Sequence, residues 1–599
     1  MTPQPQPNAS RPIFRLAFYA VAIGLALVHV FITFRGIHSA AGMEQAQVAR
    51  EIARGHGLQT KIVRPYALAR FNASLKEVVP GQMPEITTSP LQPLLWAPIF
   101  KALERHFPFE PTKNGGIYLM DRAIACMGVT YFLLTLLWTH GAARRLFDDS
   151  VAAVAVAALI LCEPLWKLSV SGSPIALMLP LFALTMRVYA AAQIRIQEGL
   201  SATLQMIAIG VLASLMLLTH WMAVWMVVGL VLAVAQGFPG HRRGALWVAG
   251  LPLLTLIVWC LWIAQQSGDV LGGAKTLFQA HLLTQEPNIL QREFSIVTQP
   301  VFVDDLLRKA AWNLTNQLTE LYAYLGHSVP ALAFFIALMH RFRRPEVIRT
   351  LQGLGLMFLS TAVGMGFLGL PEKSQDDNAL YIVLVPAMAI GGCAMLAVLW
   401  ARLQISAGFF WQRFGFAVIA LAISAIPMMA TLPGDLKVGL TMRNRIYPHW
   451  PPYVLSQVPV LARLIEPNEI IFTDAPWFLS WYADIPCAWM PVKRADFATM
   501  QDQFKKQKIM VAGFVVTPIS AKLNYLQEAF TGPYSEWPDL IFRGPLLAFD
   551  KDFQPYPEFP YKMAMPLMAT SIGAKENLSY QMTFYSDRVR NPKEKAPTQ

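Results

Sequence analysis

The sequence predicts a polytopic α-helical membrane protein of about eleven spans, with interfacial helices in its first outer loop and a small C-terminal α/β domain. Three observations carry that prediction. The 599 residues are 55% hydrophobic and only 14% charged, with mean hydropathy +0.40, whereas soluble domains carry about 25% charged residues. The apolar residues gather into long runs free of charge. The basic residues fall in alternate short loops, as they do on the cytoplasmic side of membrane proteins.

The first run, residues 16–34, holds 19 positions without Asp, Glu, Lys or Arg. At ~1.5 Å per residue it reaches ~28 Å, the hydrocarbon thickness of a bilayer. It exceeds the roughly 7–15 residues of a signal-peptide core, so it reads as an anchor. Spans are expected near 14–34, 119–140, 151–168, 174–192, 202–219, 221–237, 244–265, 327–340, 350–370, 378–400 and 408–430.

With the N-terminus and its Arg11 and Arg15 inside, the alternate loops hold Arg144 and Arg145, the Arg187–Arg195 segment, and Arg242 and Arg243. The next two hold Arg341, Arg343, Arg344 and Arg349, and then Arg402. Each is short and basic, so the net charge of +12 is topological and no nucleic acid partner is expected. The same parity puts the loops 35–118 and 266–326 and the segment 431–590 outside, leaving little but turns inside. Residues 1–13 are then a cytoplasmic tail, 14–430 the transmembrane domain and 591–599 a disordered tail. The expected location is a bacterial inner membrane.

From Lys437 onward Pro, Trp, Tyr and charged residues rise, and no further run of span length occurs. Residues 469–473 and 508–518 read as buried strands, with a turn at Asp474 and a helix near 477–482 between them. Asp474 is expected to form that turn through its own side chain. Residues from Val303 read as an amphipathic surface helix capped by Asp304 and Asp305. The five cysteines form no CxxC or Cys/His spacing, and no metal site or cofactor is implied.

The first outer loop carries the chemistry. Over 43–54, Ala46, Val48, Ala49, Ile52 and Ala53 share one arc of a helical wheel, while Glu44, Gln47, Arg50, Glu51 and Arg54 share the other. That pattern predicts a helix lying on the membrane, apolar side down, closed by the glycines of "GHG" at 55–57. Glu44 then sits near the bilayer edge, and Glu51 pairs on the surface with Arg50 or Arg54. A second interfacial helix opens after Pro90, and a basic segment with Lys61, Arg64 and Arg70 lies between the two. A carboxylate that can deprotonate an acceptor, beside cations that steady a departing phosphate, suits transfer from a phosphate ester. Arg is favoured there because its planar fork can donate two hydrogen bonds.

The stretch "GMEQAQVAREIARGHGLQTKIVRP", followed by "SPLQPLLWAP" and "DRAIACMGVTYFLLTLLWTHGAARRLF", resembles a known group. It is similar to the dolichyl-phosphate-mannose-protein mannosyltransferases and aminoarabinose transferases, GT-C membrane glycosyltransferases of the family 39 type. The resemblance covers roughly residues 14–400 and is clearest over 40–190. It implies inverting transfer of a sugar from a polyprenyl-phosphate donor to an extracytoplasmic glycolipid, glycan or protein. By the pattern Met-acid-x-Ala-Gln-x-Ala-Arg, the general base it implies is Glu44. Many relatives carry a further acid three positions earlier, where Ala41 stands here. Many also open a late span with Arg-Tyr, where this chain has Leu380 and Tyr381. Substrate contacts are therefore expected from Arg64, Arg70, Lys373 and Tyr381. Glu85 could stand beside the acceptor, although a solvated loop charge is the commoner role. His220, at an outer turn, is a weaker candidate. Two other classes compete: a multi-span transporter or flippase of envelope lipids, and a non-catalytic membrane scaffold.

Overall fold

The computed structural model describes residues 10–74, 79–105, 117–238, 242–282, 287–294, 302–369, 380–403, 409–441, 458–517, 520, 532, 534–543, 556, 559–567 and 582–590. An apolar helix occupies every predicted span. Six are long enough to cross a bilayer: Leu119–Leu146, Pro174–Gln197, Arg243–Ser267, Pro345–Leu368, Leu380–Arg402 and Phe414–Thr441. Four are shorter: Phe18–Thr33, Thr203–Thr219, Ala223–Gly237 and Val329–Met339. The last helix continues to Thr441, beyond the expected end near 430.

The 151–168 run departs from expectation. It forms two helices, Asp149–Ile160 and Glu163–Val170, bent by 60°. Pro164 lies in the first turn of the second helix, where a missing N–H costs nothing. Glu163 at the break pairs with Lys167 one turn on, so this run carries charge within the predicted span.

The chain forms eight short strands among the described residues. The first loop supplies β1 (Gln59–Thr60), β2 (Ile62–Val63) and β3 (Met83–Pro84). The C-terminal segment supplies β4 (Glu469–Thr473), β5 (Cys487–Trp489), β6 (Met510–Val516), β7 (Lys562–Leu567) and β8 (Met582–Ser586). The six-stranded sheet has the order β2-β5-β4-β6-β8-β7, and β1 pairs with β3 separately. β2, β5, β4 and β6 run parallel, while β8 and β7 return antiparallel. All five residues of β4 are buried, as a central parallel strand covered on both faces requires.

The edge strand β2 comes from the first loop. Ile62 registers with Cys487 and Val63 with Ala488, so the loop and the C-terminal domain share one sheet. Three loop helices surround this junction: α1 (Ala40–Ala53), α2 (Pro65–Ala73) and α3 (Leu91–Glu104). On the C-terminal side lie α4 (Pro476–Tyr482) and α5 (Arg494–Lys506). The predicted strands near 469 and 508 and the helix near 477 are all present.

The expected amphipathic exposure of α1 is corrected. Its apolar arc is buried, with Val48 and Ala49 at 0% exposure, but so is its polar arc, with Gln47 and Arg50 also at 0%. The cause is α4. The last carbonyls of a helix lack partners within it, and Arg50 donates to those of Ser480 (2.5 Å) and Trp481 (2.7 Å). Its guanidinium also lies over the Trp481 ring, 5.0 Å from the centroid. Glu51 is itself buried; it pairs with Arg54, as expected, and also with Lys61 and the exposed His56.

Two further expectations change. The surface helix Val303–Thr319 forms, but its N-cap is Phe302, and Asp304 pairs with Arg308 instead of capping. Asp474 does not close its own turn. It accepts hydrogen bonds from the backbone and hydroxyl of both Thr517 and Ser520, tying the end of β4 to the segment after β6. Burial pushes its pKa up to about 6 against the pull of those donors.

Candidate active site

Glu44 lies one turn into α1, which starts where the Ser39 hydroxyl accepts from the Gly42 N–H at 3.2 Å. That turn is pressed against another backbone. A Cβ on Gly42 would stand 3.0 Å from the carbonyl of Gly172, which itself has φ +80°. Gln92 of α3 donates to the same carbonyl at 2.8 Å. Three segments therefore fix where the Glu44 side chain starts.

Arg64, the N-cap residue of α2, fixes where it ends. Its Nη2 donates to Glu44 Oε2 at 2.9 Å and its Nη1 to Glu85 Oε2 at 3.4 Å. The Glu85 Oε1 accepts from the N–H groups of Thr87 (2.8 Å) and Thr88 (3.0 Å). The side chains of Arg64 and Glu85 are 3% and 2% exposed, against 16% for Glu44. Glu85 is thus the buried anchor of a carboxylate–guanidinium–carboxylate chain, and the solvated loop charge expected of it is corrected. Its burial follows from the turn it organises. Glu44 is the accessible end, and its Oε1 makes no hydrogen bond among the described residues.

The electrostatics follow from that order. Burial raises the Glu44 pKa, Arg64 opposes it, and Glu85 adds to the rise, with the net shift upward. Burial pulls Arg64 down, but Glu44 and Glu85 outweigh it and hold the guanidinium charged. The Arg64 Nε is buried and has no hydrogen-bond partner among the described residues.

The turn carrying His220 reaches this loop through its neighbour. The Trp221 indole donates to the Thr87 carbonyl at 3.1 Å. His220 Nδ1 accepts from the Met222 N–H at 3.2 Å, and burial lowers its pKa to about 4, so the imidazole is neutral at pH 7.

No family model and no curated protein sequence matches the chain. Solved structures do. One is ArnT from Cupriavidus metallidurans bound to undecaprenyl phosphate, with TM-score 0.52 and 15% identity over 86% of this chain and 95% of that one. Its apo state gives 0.51 and 16% over 87% and 95%. The archaeal oligosaccharyltransferase AglB from Archaeoglobus fulgidus, in complex with an inhibitory peptide and a dolichol-phosphate, gives 0.52 and 10% over 89% and 72%. The chain has the GT-C fold.

Within this GT-C fold the remaining expected residues are dispersed. Arg70 closes the other end of α2, where it pairs with Asp269 at 3.2 Å and binds the Tyr66 hydroxyl at 3.0 Å. Six residues of helix put it about 9 Å along the axis from Arg64. Tyr381 is buried on the helix Leu380–Arg402 and donates to Gln317 of the Val303–Thr319 helix. Lys373 lies outside the described residues.

Two acids outside the expected set tie the spans and the first loop to the C-terminal segment. Asp121 opens the helix Leu119–Leu146 and is fully buried, accepting from the Trp481 indole at 2.8 Å and from the Tyr482 hydroxyl. Asp484 receives Arg50 at 2.8 Å, Arg54 at 2.7 Å, and Lys61. The charge pair Asp121-Arg122 opening an apolar run was the available signal for the first. Nothing local marks Asp484, whose partners are more than four hundred residues earlier. Elsewhere, on the helix Val303–Thr319, the Lys309 ammonium is buried without a partner among the described residues, and burial lowers its pKa to about 8.

Proposed function

We propose that this chain is an integral membrane glycosyltransferase that moves a sugar from a polyprenyl-phosphate donor to an extracytoplasmic acceptor. Glu44 is its general base. The acceptor hydroxyl or amine attacks the anomeric carbon as the bond to phosphate breaks. Glu44 takes the acceptor proton, and polyprenyl phosphate leaves from the opposite face, which inverts the anomeric centre. The observation that carries this reading is the chain Glu44–Arg64–Glu85, with one buried end and one accessible end. A base works best when its pKa approaches the working pH, and burial moves Glu44 in that direction. The arginine holds the carboxylate in one orientation and leaves its second oxygen for the acceptor.

The fold supports the donor class, since similar structures hold undecaprenyl phosphate and dolichol-phosphate. The basic turns support the side of action, because their alternation predicts the large loops and the α/β domain on the opposite face. The test is mass spectrometry of lipid-linked sugars in a bacterial strain lacking the protein, complemented with wild type or Glu44→Gln. One polyprenyl-phosphate sugar should accumulate in the deletion strain and with Glu44→Gln, and return to normal with wild type. Unchanged lipid-linked sugars in the deletion strain would sink the reading.

A further inference from the structure

At the loop-bearing end of the first two spans, two guanidinium groups repel one another and form no ion pair among the described residues, the nearby Asp121 carboxyl being taken by Trp481 and Tyr482. Arg35 follows the first span and is 4% exposed. Its Nη1 donates to the carbonyl of its neighbour Phe34 at 3.1 Å, while Nε and Nη2 are buried and have no partner among the described residues. The last span closes over it, so that a Cβ on Gly439 would lie 3.0 Å from Nη2. Arg122, in the first turn of the second span, is partly exposed, and its Nε is also buried and unbonded among the described residues. Burial lowers the Arg35 pKa, and Arg122 lowers it further. Two like charges held together in a low-dielectric position call for an anion.

The surrounding surface says how that anion arrives. Along the first helix Tyr19, Ile23, Leu27 and Phe31 recur every fourth residue and are 52–55% exposed. They form a stripe for acyl chains that runs toward Arg35. The Arg122 guanidinium lies 5.6 Å from the centroid of the Phe31 ring, at the end of that stripe. A cation over an aromatic face at the boundary of the hydrocarbon fits a headgroup site.

We infer that Arg35 and Arg122 hold the phosphate of a membrane lipid whose chains lie along the exposed face of the first span. Arg122 presents its partly exposed guanidinium to phosphate oxygens, while the buried Arg35 adds positive charge from behind it. The site shares no residue with the Glu44–Arg64–Glu85 chain and stands whether or not the protein transfers sugars. Bound there, a lipid would bridge the first, second and last spans and neutralise the charge that their packing confines.

Native mass spectrometry of the full chain released from detergent tests this. The probes are a phosphatidylglycerol, a diacylglycerol with the same chains, and inorganic phosphate. Wild type should bind the phosphatidylglycerol about 10-fold or more tighter than the diacylglycerol, a difference of about 1.4 kcal/mol. Arg35→Gln and Arg122→Gln should each erase most of that margin, and Arg35→Lys should retain part of it. Equal binding of the two lipids by wild type, or an undiminished margin in the Gln variants, overturns the inference. Inorganic phosphate binding as tightly as the phospholipid would show a free-anion site and overturn the lipid assignment. Should Arg35→Gln fail to fold, Arg122→Gln, with its partly exposed side chain, decides the outcome alone.

Discussion

Arg64 serves two carboxylates at once, and the difference between them defines their roles. Glu85 takes the guanidinium and two backbone N–H groups, so replacing it strips a buried turn of its acceptor. Glu85→Ala is expected to cost about 3 kcal/mol, because a buried pair that loses one partner leaves an unpaired charge; a thermal melt in detergent measures it. Glu44→Gln keeps the shape and a hydrogen-bond acceptor but no base. Transfer should fall about 10²-fold or more while the melt stays near wild type. The pH profile gives a sharper reading. As the proposed base Glu44 would act deprotonated, and its pKa is raised, so activity should climb with pH along a limb above the ordinary glutamate range. Glu85→Gln removes a charge that raises Glu44 and frees Arg64 to pair with it, so the limb should move to lower pH. A limb that does not move would separate the two carboxylates functionally. At this scale the sequence was partly legible: Glu44 and Arg64 stand in a recognisable stretch. Glu85 looked like a loop acid because its partners are backbone N–H groups of the next few residues, which composition cannot show.

Among the elements, α1 bears the most constraint. Its first turn touches the Gly172 backbone, and a methyl group on Gly42 would force the two apart. Gly42→Ala should cost about 1–3 kcal/mol through overpacking and shift Glu44, two residues on, so that transfer falls more than the melt alone predicts. The far end of α1 meets Asp484, which adopts φ +58°. Burial would raise that carboxyl, but Arg50, Lys61 and Arg54 hold it down at about 2. Its contribution is present in full above its unfolded value of about 4 and is lost as pH falls through about 2. Asn tolerates the left-handed backbone conformation, so Asp484→Asn removes charge without straining the chain. It should lose about 2 kcal/mol at pH 7 and flatten the acid side of the stability profile, read by melts from pH 2 to 7. The helical period of α1 was plain in the sequence. Its environment was not, because a polar arc facing water and a polar arc facing α4 have the same composition.

For the whole molecule, the spans were legible because a bilayer demands long apolar runs, and the C-terminal strands were legible as short buried ones. The bend at Glu163 escaped because Pro164 suits a helix start as well as a loop. The addition of β2 to the C-terminal sheet escaped because two residues of edge strand carry no periodicity. Cutting the chain after Thr441 should leave the span bundle in the membrane but expose Arg50, Gln47 and the edge of β2. The truncated protein is expected to be inactive and to aggregate on size exclusion, whereas supplying residues 442–599 in trans should restore a monodisperse complex.

The pairing of β2 with β5 has a consequence in time as well as in space. Arg50 finds its carbonyl acceptor 431 residues downstream, on Trp481, so synthesis must pass that residue before the first loop can close. Contacts so distant along a chain form late, and a nascent product released early would carry every anchor yet display an unfinished, protease-sensitive surface. Closure of the first loop over α4 therefore waits until the last span has already been made.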